Sequence, residues 1–422
     1  MKAYSITGLL LALTVTTCVL AQSIKSDKIE AYMKQANKIG VFNGNILVME
    51  NDQIIYKASL GYSDANKKIP LTDQSIFRIG SIAKEFNAVG IMMLKEQGKL
   101  TLDQKVSEFF PDLPVWAKKI SIKNLLQYTS GLPDVNWLTI KSEADNWKDL
   151  YALTQLKFEP GSDYYYNNNN IFLQRKIIEQ ITGMKFNDFV QQQILKTCAI
   201  SDAIIDPTGE EPFVTQSFDD NFKLDSFNLS ITGSTCLNIN DFYKWSQAII
   251  NFKNINPVST LEILTPVAAH KQAGLGKGTM KNNQIETHIH DGTSYSSQAL
   301  LVTDVLKGRT LLFLTNQKHE NLREINDALN NILDDKSYNE PRKSILTTYK
   351  KRLDTMDATA FLPFYKILKE KYPKDYGFDN FNTLNEIGYY YLYERNLPAD
   401  AITIFERNVD LFPKSGDIVD SL

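Results

Sequence analysis

The position of the β-rich segments is the feature that most constrains the fold of this chain. Residues 42–50 and 53–62 form two such segments, and Asn51-Asp52 between them is typical of a hairpin turn. A long stretch follows that is mainly helical and is punctuated by prolines. Strand-like sequences then return near the end of the first 335 residues, at 283–290, 296–304 and 308–316.

These segments and the helices between them predict an α+β fold. Residues 77–100 carry apolar side chains at helical spacing and end near Gly98, so they predict a helix. Residues 321–333 predict a second, amphipathic helix. The simplest arrangement is one antiparallel sheet whose strands come from both ends of the first 335 residues. Helices flank this sheet, and an all-helical subdomain is inserted between its strands. A cleft between two such lobes is where a ligand is expected.

The first residues have the pattern of an export signal. Lys2 precedes an uncharged apolar run from Ile6 to Leu20. We therefore expect cleavage near Ala21 and a secreted or periplasmic protein, with membrane association only through this signal. A retained membrane anchor is one alternative, although the run is shorter than the roughly 20 apolar residues of a spanning helix. A lipoprotein signal, which would use Cys18, is another.

Cleavage would leave two cysteines, Cys198 and Cys236. They could pair in an oxidising compartment. Two buried free thiols are the expected state, because a core of this size needs no disulfide.

The last part of the chain predicts a separate helical extension. We expect a signal peptide over 1–21, one domain over 22–335 and a helical extension over 336–422, with helices from about Ile345. Several positions resemble a tetratricopeptide repeat: Gly388, Tyr391, Ala401, Phe405 and Pro413. A packed helical tail with coincidental spacing explains them equally well. Residues 340–422 are where a protein partner would be expected to dock.

The overall charge argues against a nucleic-acid partner. The chain has a formal net charge of -3 over 422 residues, and its Lys and Arg residues are scattered without a basic block.

The strongest chemical pattern is Gly80-Ser81-Ile82-Ala83-Lys84, where the first long helix is predicted to begin. Residues i and i+3 share a helix face, so the Ser81 hydroxyl and the Lys84 amine are expected to meet. A hydroxyl needs a base to take its proton, and a neutral amine can be that base. The positive end of the helix would also favour a developing oxyanion. Chance produces on the order of one or two such spacings in a chain of this size.

Two further polar segments could contribute to the same site. Residues 160–170 are rich in Tyr and Asn, and a tyrosine near a lysine can act as acid or base; an ordinary Asn-rich turn is the alternative. In the second segment, alternation places His288 and His290 on one face of a strand that ends near Gly292. This segment is interpreted as a strand edge that offers N–H groups to a substrate, or as a surface histidine pair. Two histidines are too few for a metal site, so neither metal nor cofactor is expected.

In this order and spacing, the three segments resemble the serine β-lactamase and penicillin-binding-protein superfamily. The branch in question holds class C β-lactamases, D-alanyl-D-alanine carboxypeptidases and related esterases. The similarity extends over roughly residues 30–335 and is most detailed in 77–114, 125–134 and 158–183. Tyr128 stands where the branch usually has His. The resemblance implies a β-lactamase/transpeptidase-like fold and a hydrolase that forms an acyl-enzyme.

The resemblance also implies roles for the first two segments. Ser81 would be the acylated nucleophile, and Lys84 would assist proton transfer. Tyr166 and Asn168 would match a Tyr-x-Asn segment; Tyr165-Tyr166-Asn167 is the alternative register.

At the strand edge, the resemblance implies that His290, Gly292 and Thr293 bind the substrate. The backbone N–H groups of Ser81 and Thr293 would form the oxyanion hole. His290 stands where a lysine is common, so it would supply a positive charge only when protonated.

The leading hypothesis is a serine hydrolase that acts on an ester, amide, or β-lactam or D-Ala-type peptide carbonyl. The ligand would be a small-molecule or peptide substrate. Because His290 replaces the lysine that is common in the family, we expect hydrolysis of esters or small amides rather than efficient β-lactamase or carboxypeptidase activity. The alternative is a non-catalytic receptor for cell-wall fragments, or a protein-interaction module that uses the helical extension.

Overall fold

The computed structural model describes the chain in six stretches: residues 7–208, 211–219, 222–225, 230–268, 271–317 and 322–413. Side chains are described from Ser23 onward, so the predicted signal peptide lies outside them. The chain divides into two compact units. One unit is Asn43–Lys318, and the other combines Met1–Phe42 with His319–Leu422.

The larger unit contains two sheets. The strands are β1 (Gly44–Glu50), β2 (Gln53–Leu60), β3 (Phe77–Arg78), β4 (Ile204–Ile205), β5 (Thr235–Leu237), β6 (Lys277–Lys281), β7 (Gln284–Ser294), β8 (Ser297–Asp304) and β9 (Arg309–Thr315). Six of them form one sheet in the order β2-β1-β9-β8-β7-β6, and every neighbouring pair is antiparallel. The three short strands form a second sheet in the order β3-β5-β4. The predicted antiparallel sheet, built from both ends of the unit, is confirmed.

The sheet also shows where the sequence prediction was incomplete. The hairpin is confirmed, and Asn51 and Asp52 both have positive φ, 51° and 60°, as a tight hairpin turn requires. The three late strands are confirmed as well, although β7 continues to Ser294. Strand β6 was not predicted, because KGTMK lacks the β-branched alternation of the other strands.

The α-helices surround this sheet in the larger unit and make up most of the other unit. They are α1 (Thr7–Lys38), α2 (Lys84–Glu96), α3 (Val106–Phe109), α4 (Ile122–Leu126), α5 (Glu143–Ala152), α6 (Asn168–Thr182), α7 (Phe186–Phe189), α8 (Ile239–Ile250), α9 (Pro257–Leu264), α10 (Leu322–Leu333), α11 (Ile345–Leu353), α12 (Ala358–Lys371), α13 (Asn382–Tyr389) and α14 (Pro398–Leu411).

Helix α2 is the central helix of the larger unit, because its buried face is continuous with the core. Phe86, Val89 and Met92 are fully buried in one cluster with Phe172 of α6 and Trp245 of α8. Each such side chain contributes roughly 1.5–3 kcal/mol when it is removed from water. This packing fixes the start of α2, where the Ser-x-x-Lys sequence lies.

The smaller unit contains α1 and α10–α14. Helix α10 confirms the predicted amphipathic helix, and α11 begins at Ile345 as predicted. In the pair α13 and α14, a Cβ at Gly388 would lie 2.3 Å from the Phe405 ring, so the two helices approach closely there. The tetratricopeptide interpretation stays a prediction.

In the described part of the chain, no helix combines the length and apolarity of a membrane span.

Cys198 and Cys236 are free thiols. Cys236 is fully buried, and burial raises the pKa of its thiol to about 12. Cys198 is only half-buried, so the expectation of two buried thiols is wrong for this residue.

Candidate active site

Ser81 and Lys84 lie at the junction between a strand and a helix. Strand β3 ends at Arg78, the chain makes a 3-10 turn over Gly80–Ala83, and α2 begins at Lys84. In this turn Lys84 Nζ lies 2.9 Å from Ser81 Oγ. That distance allows direct proton transfer between the hydroxyl and the amine. The contact expected from the spacing is therefore present.

The end of strand β7 lies directly against this turn. A Cβ at Gly292 would lie 2.1 Å from the Ile79 carbonyl oxygen and 2.7 Å from the Ser81 backbone nitrogen. A Cβ at Gly80, whose φ is +55°, would lie 2.4 Å from the Thr293 backbone nitrogen. Only residues without a side chain permit such an approach. The backbone amides of Ser81 and Thr293 thus lie on neighbouring segments, which is the arrangement that an oxyanion hole requires.

Tyr166 lies beside the lysine, in the register that the sequence favoured. The Nζ atom of Lys84 is 5.1 Å from the centre of the Tyr166 ring, and Tyr166 lines the same cavity as Ser81. Tyr165 instead has its ring 4.5 Å from Lys157 Nζ. The Tyr166 hydroxyl oxygen is buried and makes no hydrogen bond of good geometry to a described residue. Tyr166 therefore belongs to the same site as Ser81 and Lys84.

Tyr128 supports the Tyr166 ring. The two ring centres are 4.6 Å apart, and Tyr128 is fully buried. Burial, with a contribution from Tyr166, raises the pKa of Tyr128 well above its usual range. Its hydroxyl therefore stays protonated at neutral pH and is not a base for the reaction.

Asn168 is held by a carboxylate that the sequence did not single out. Its backbone nitrogen and its Nδ2 atom donate to Asp134 Oδ1 at 2.6 and 3.1 Å. The preceding Asn167 caps α6 and is buried, whereas Asn168 lines the cavity beside Ser81. Asp134 belongs to the segment 125–134, and only the family resemblance had drawn attention to this segment.

The structure corrects the predicted substrate contact of His290. Neighbouring residues of a strand point to opposite faces. In β7, His288 and His290 share the covered face and are at most 2% exposed, so they are not a surface pair. Asp291 and Thr293 point the other way and line cavities beside the nucleophile. His290 is therefore shielded from a ligand in those cavities.

Both histidines bind the buried carboxylate of Glu85, the residue after Lys84. His288 Nε2 and His290 Nδ1 lie 2.9 and 2.7 Å from Glu85 Oε1, and the Trp245 indole N–H donates to Oε2 at 2.6 Å. These bonds join β7 and α8 to the first turn of α2. Among the described residues, no group of three or more acidic, His or Cys side chains could hold a metal ion.

We expect Glu85→Gln to destabilise the fold in a pH-dependent way. Burial raises the pKa of Glu85, but His288 and His290 more than offset this and hold it at about 2. The folded-state pKa lies below the unfolded value of 4.5, so the stabilisation is present above about pH 4.5 and is lost as the pH falls toward 2. The shift corresponds to about 3 kcal/mol.

Urea unfolding of wild type and variant at several pH values measures this effect. The difference between the two should shrink as the pH falls through this window. Glu96→Gln, at the exposed end of the same helix, is the matched control and should change stability little. Equal stability of wild type and Glu85→Gln at pH 7 would contradict the prediction.

Two cavities flank Ser81, and both include Tyr166 and Thr293. The first, of about 380 Å³, is called the aromatic cavity here after Trp137 and Tyr295. Its remaining lining residues are Arg78, Gly80, Ala83, Lys84, Asn168, Pro207, Ser230, Thr232, Ser234 and Ser294. Trp137, Pro207, Ser230, Thr232, Ser234 and Tyr295 belong to loops, which carry no pattern that the sequence alone could have revealed.

The second cavity has a volume of about 450 Å³ and is called the lysine cavity. Its lining residues, apart from the three shared with the aromatic cavity, are Tyr164, Lys271, Gln272, Lys277 and Asp291. The Tyr164 oxygen accepts a hydrogen bond from the Gln272 backbone nitrogen at 3.3 Å. Burial raises the pKa of Tyr164 to about 12, so its hydroxyl is neutral at physiological pH. Tyr164 and Asp291 lie within two of the predicted segments but had no role assigned to them, and Lys271, Gln272 and Lys277 were not predicted.

The arrangement is suited to acyl transfer. A hydroxyl lies in contact with an amine, a tyrosine lies beside that amine, and the backbone amides of Ser81 and Thr293 lie on two closely packed segments. These groups can respectively attack a carbonyl, move the proton and stabilise the negative charge that forms on the carbonyl oxygen.

Comparison with known proteins gives a consistent result. The family model described as Beta-lactamase matches residues 26–334. Penicillin-binding protein 4* of Bacillus subtilis (strain 168) is 26% identical over an alignment of 364 residues, and the match covers 77% of this chain and 79% of that protein. Among solved structures, a class C beta lactamase is similar with a TM-score of 0.63 at 17% identity, covering 74% of this chain and 98% of its own. The D-amino acid amidase from Ochrobactrum anthropi SV3 has a TM-score of 0.61 at 20% identity, covering 74% and 97%.

Proposed function

This chain belongs to the beta-lactamase family, and on that basis we propose that it is a serine hydrolase with Ser81 as its acylated nucleophile. The substrate would be an ester, an amide, or a β-lactam or D-Ala-type peptide carbonyl. The observation that carries the proposal is the 2.9 Å contact between Lys84 Nζ and Ser81 Oγ, next to the Thr293 backbone.

The proposed reaction has two steps. Ser81 Oγ forms a bond to the carbonyl carbon while its proton moves to the Lys84 amine, which lies beside the Tyr166 ring. The N–H groups of Ser81 and Thr293 stabilise the oxyanion. When the oxyanion collapses, the bond to the leaving group breaks and the leaving group takes the proton. Water then attacks the Ser81 ester by the same path, which frees the acid and restores the hydroxyl.

Two relatives support different substrate classes within this proposal. Similarity to a D-amino acid amidase supports an amide substrate, and similarity to penicillin-binding protein 4* supports a penicillin. Because His290 is bound to Glu85, no cation from β7 itself is available for a substrate carboxylate.

The proposal includes a location and a partner surface. An export signal cleaved near Ala21 would place the enzyme outside the cytoplasm. The helical extension would be a docking surface for a protein partner. Deleting residues 340–422 should then abolish capture of that partner while hydrolysis of a simple ester persists.

A covalent probe tests the nucleophile directly. A fluorophosphonate or penicillin should add one probe mass to the wild-type protein, as measured by intact mass spectrometry, and none to Ser81→Ala. Ser201→Ala, which removes an exposed serine of the same unit, should be labelled like wild type. Equal labelling of wild type and Ser81→Ala would overturn the proposal. Ligand binding without adduct or turnover would instead favour a non-catalytic receptor.

A further inference from the structure

The lysine cavity carries an excess of positive charge next to the nucleophile. Lys271 and Lys277 contribute two ammonium groups, and Asp291 contributes one carboxylate. Neither ammonium group is in an ion pair with a described residue; Lys271 Nζ lies 5.1 Å from the centre of the Tyr164 ring. Since the Tyr164 hydroxyl is neutral, the lining of this cavity has an excess of one positive charge.

Strand register explains why Lys277 reaches this cavity. Lys277 of β6 pairs with Ile289 of β7, so its side chain is on the face shared by Ile289, Asp291 and Thr293. This is the face opposite to His290. The edge strand β6 therefore contributes one of the two ammonium groups of the lysine cavity, whereas the histidine of β7 is turned toward Glu85.

We propose that Lys271 and Lys277 form an anion-binding subsite that takes a carboxylate of the substrate. This inference rests on the proposed function, since it assigns the substrate preference of the same Ser81 site. A carboxylate placed there would form charge-assisted hydrogen bonds with one or both ammonium groups. The uncharged end of the substrate would occupy the aromatic cavity between Trp137 and Tyr295.

Matched esters test this preference. One pair carries the charge in the acyl group: the mono-p-nitrophenyl ester of glutaric acid and its carboxamide counterpart. The other pair carries it in the leaving group: 3-carboxyphenyl acetate and 3-carbamoylphenyl acetate. With rates corrected for spontaneous hydrolysis, we expect kcat/KM to be about tenfold higher for the carboxylate ester in at least one pair. The ratio should fall as salt is added, because screening weakens the attraction.

Variants then assign the preference to the two lysines. Lys271→Met and Lys277→Met should each lower the ratio of carboxylate to carboxamide ester, and the double variant should bring it close to one. Lys281→Met is the matched control, because Lys281 is exposed on the same strand and does not line the cavity. It should keep the wild-type ratio.

Three results would overturn the assignment. The first is a ratio near one in both pairs while the carboxamide esters are turned over. The second is a preference that survives in the double variant. The third is a preference for an ester bearing a quaternary ammonium that is lost in Asp291→Asn, which would assign the cavity to a cation. A protein that hydrolyses no ester and forms no Ser81 adduct would overturn the proposed function itself, and this inference with it.

Discussion

Replacing Lys84 by Met should lower kcat/KM for a neutral activated ester such as p-nitrophenyl acetate by about 10³-fold. The amine is in contact with the Ser81 hydroxyl and is the nearest described base to it. Methionine has a similar length and fills the same space, so the change removes the base with little loss of packing. The residual rate should rise steeply with pH, because hydroxide would then have to take the serine proton.

Two variants control this experiment. Lys95→Met removes a lysine from the same helix at a position that pairs with Glu262, and it should leave kcat/KM unchanged. Tyr166→Phe tests the neighbouring hydroxyl and should reduce the rate less if Lys84 is the base. A loss of less than tenfold in Lys84→Met, with a larger loss in Tyr166→Phe, would assign the base role to the tyrosine instead.

Gly292→Ala should lower kcat by about 10²- to 10³-fold, the usual cost of a disrupted oxyanion hole. The added methyl group would lie 2.1 Å from the Ile79 carbonyl oxygen and 2.7 Å from the Ser81 backbone nitrogen. Both are backbone atoms, so β7 must move away from the turn that carries Ser81. The amide of Thr293 then leaves the position in which it could stabilise the oxyanion.

A kcat that falls more than KM rises would identify this effect, because the oxyanion forms only in the transition state. Gly98→Ala is the control for backbone strain alone. Gly98 has φ of +69°, and an added methyl group there would point into open space, so the substitution should cost about 1 kcal/mol of stability and leave kcat unchanged. Wild-type kcat in Gly292→Ala would contradict the proposed position of the oxyanion hole.

Local patterns were enough to predict much of this molecule. The Asn51-Asp52 hairpin, the helix after Gly80 and the meeting of Ser81 with Lys84 each depend on residues a few positions apart. Such features follow from helical spacing and turn chemistry, which act within one element. Family resemblance added Tyr166, in the register that the structure shows beside the lysine.

The strand edge could not be predicted in the same way. Period-two alternation shows that His290 and Asp291 point to opposite faces, but not which face is covered. Packing of β7 against α2 decides this, because the buried carboxylate of Glu85 binds the histidine. Asp291 lies between His290 and Gly292, the two residues predicted to bind the substrate. It is therefore Asp291, and not His290, that lines the site.

The sequence by itself thus determined the first hairpin, the three late strands, the helix after Gly80 and the pair of residues that carries the proposed chemistry, since these depend on short-range spacing. Only the tertiary structure decided the charge that surrounds the nucleophile. Lys271 and Lys277 are distant from Ser81 in the chain, and Lys277 lies on a strand without a strand-like sequence. Lys277 reaches the cavity because β6 pairs with β7 in one register, and long-range pairing of that kind is set by the packing of the whole unit.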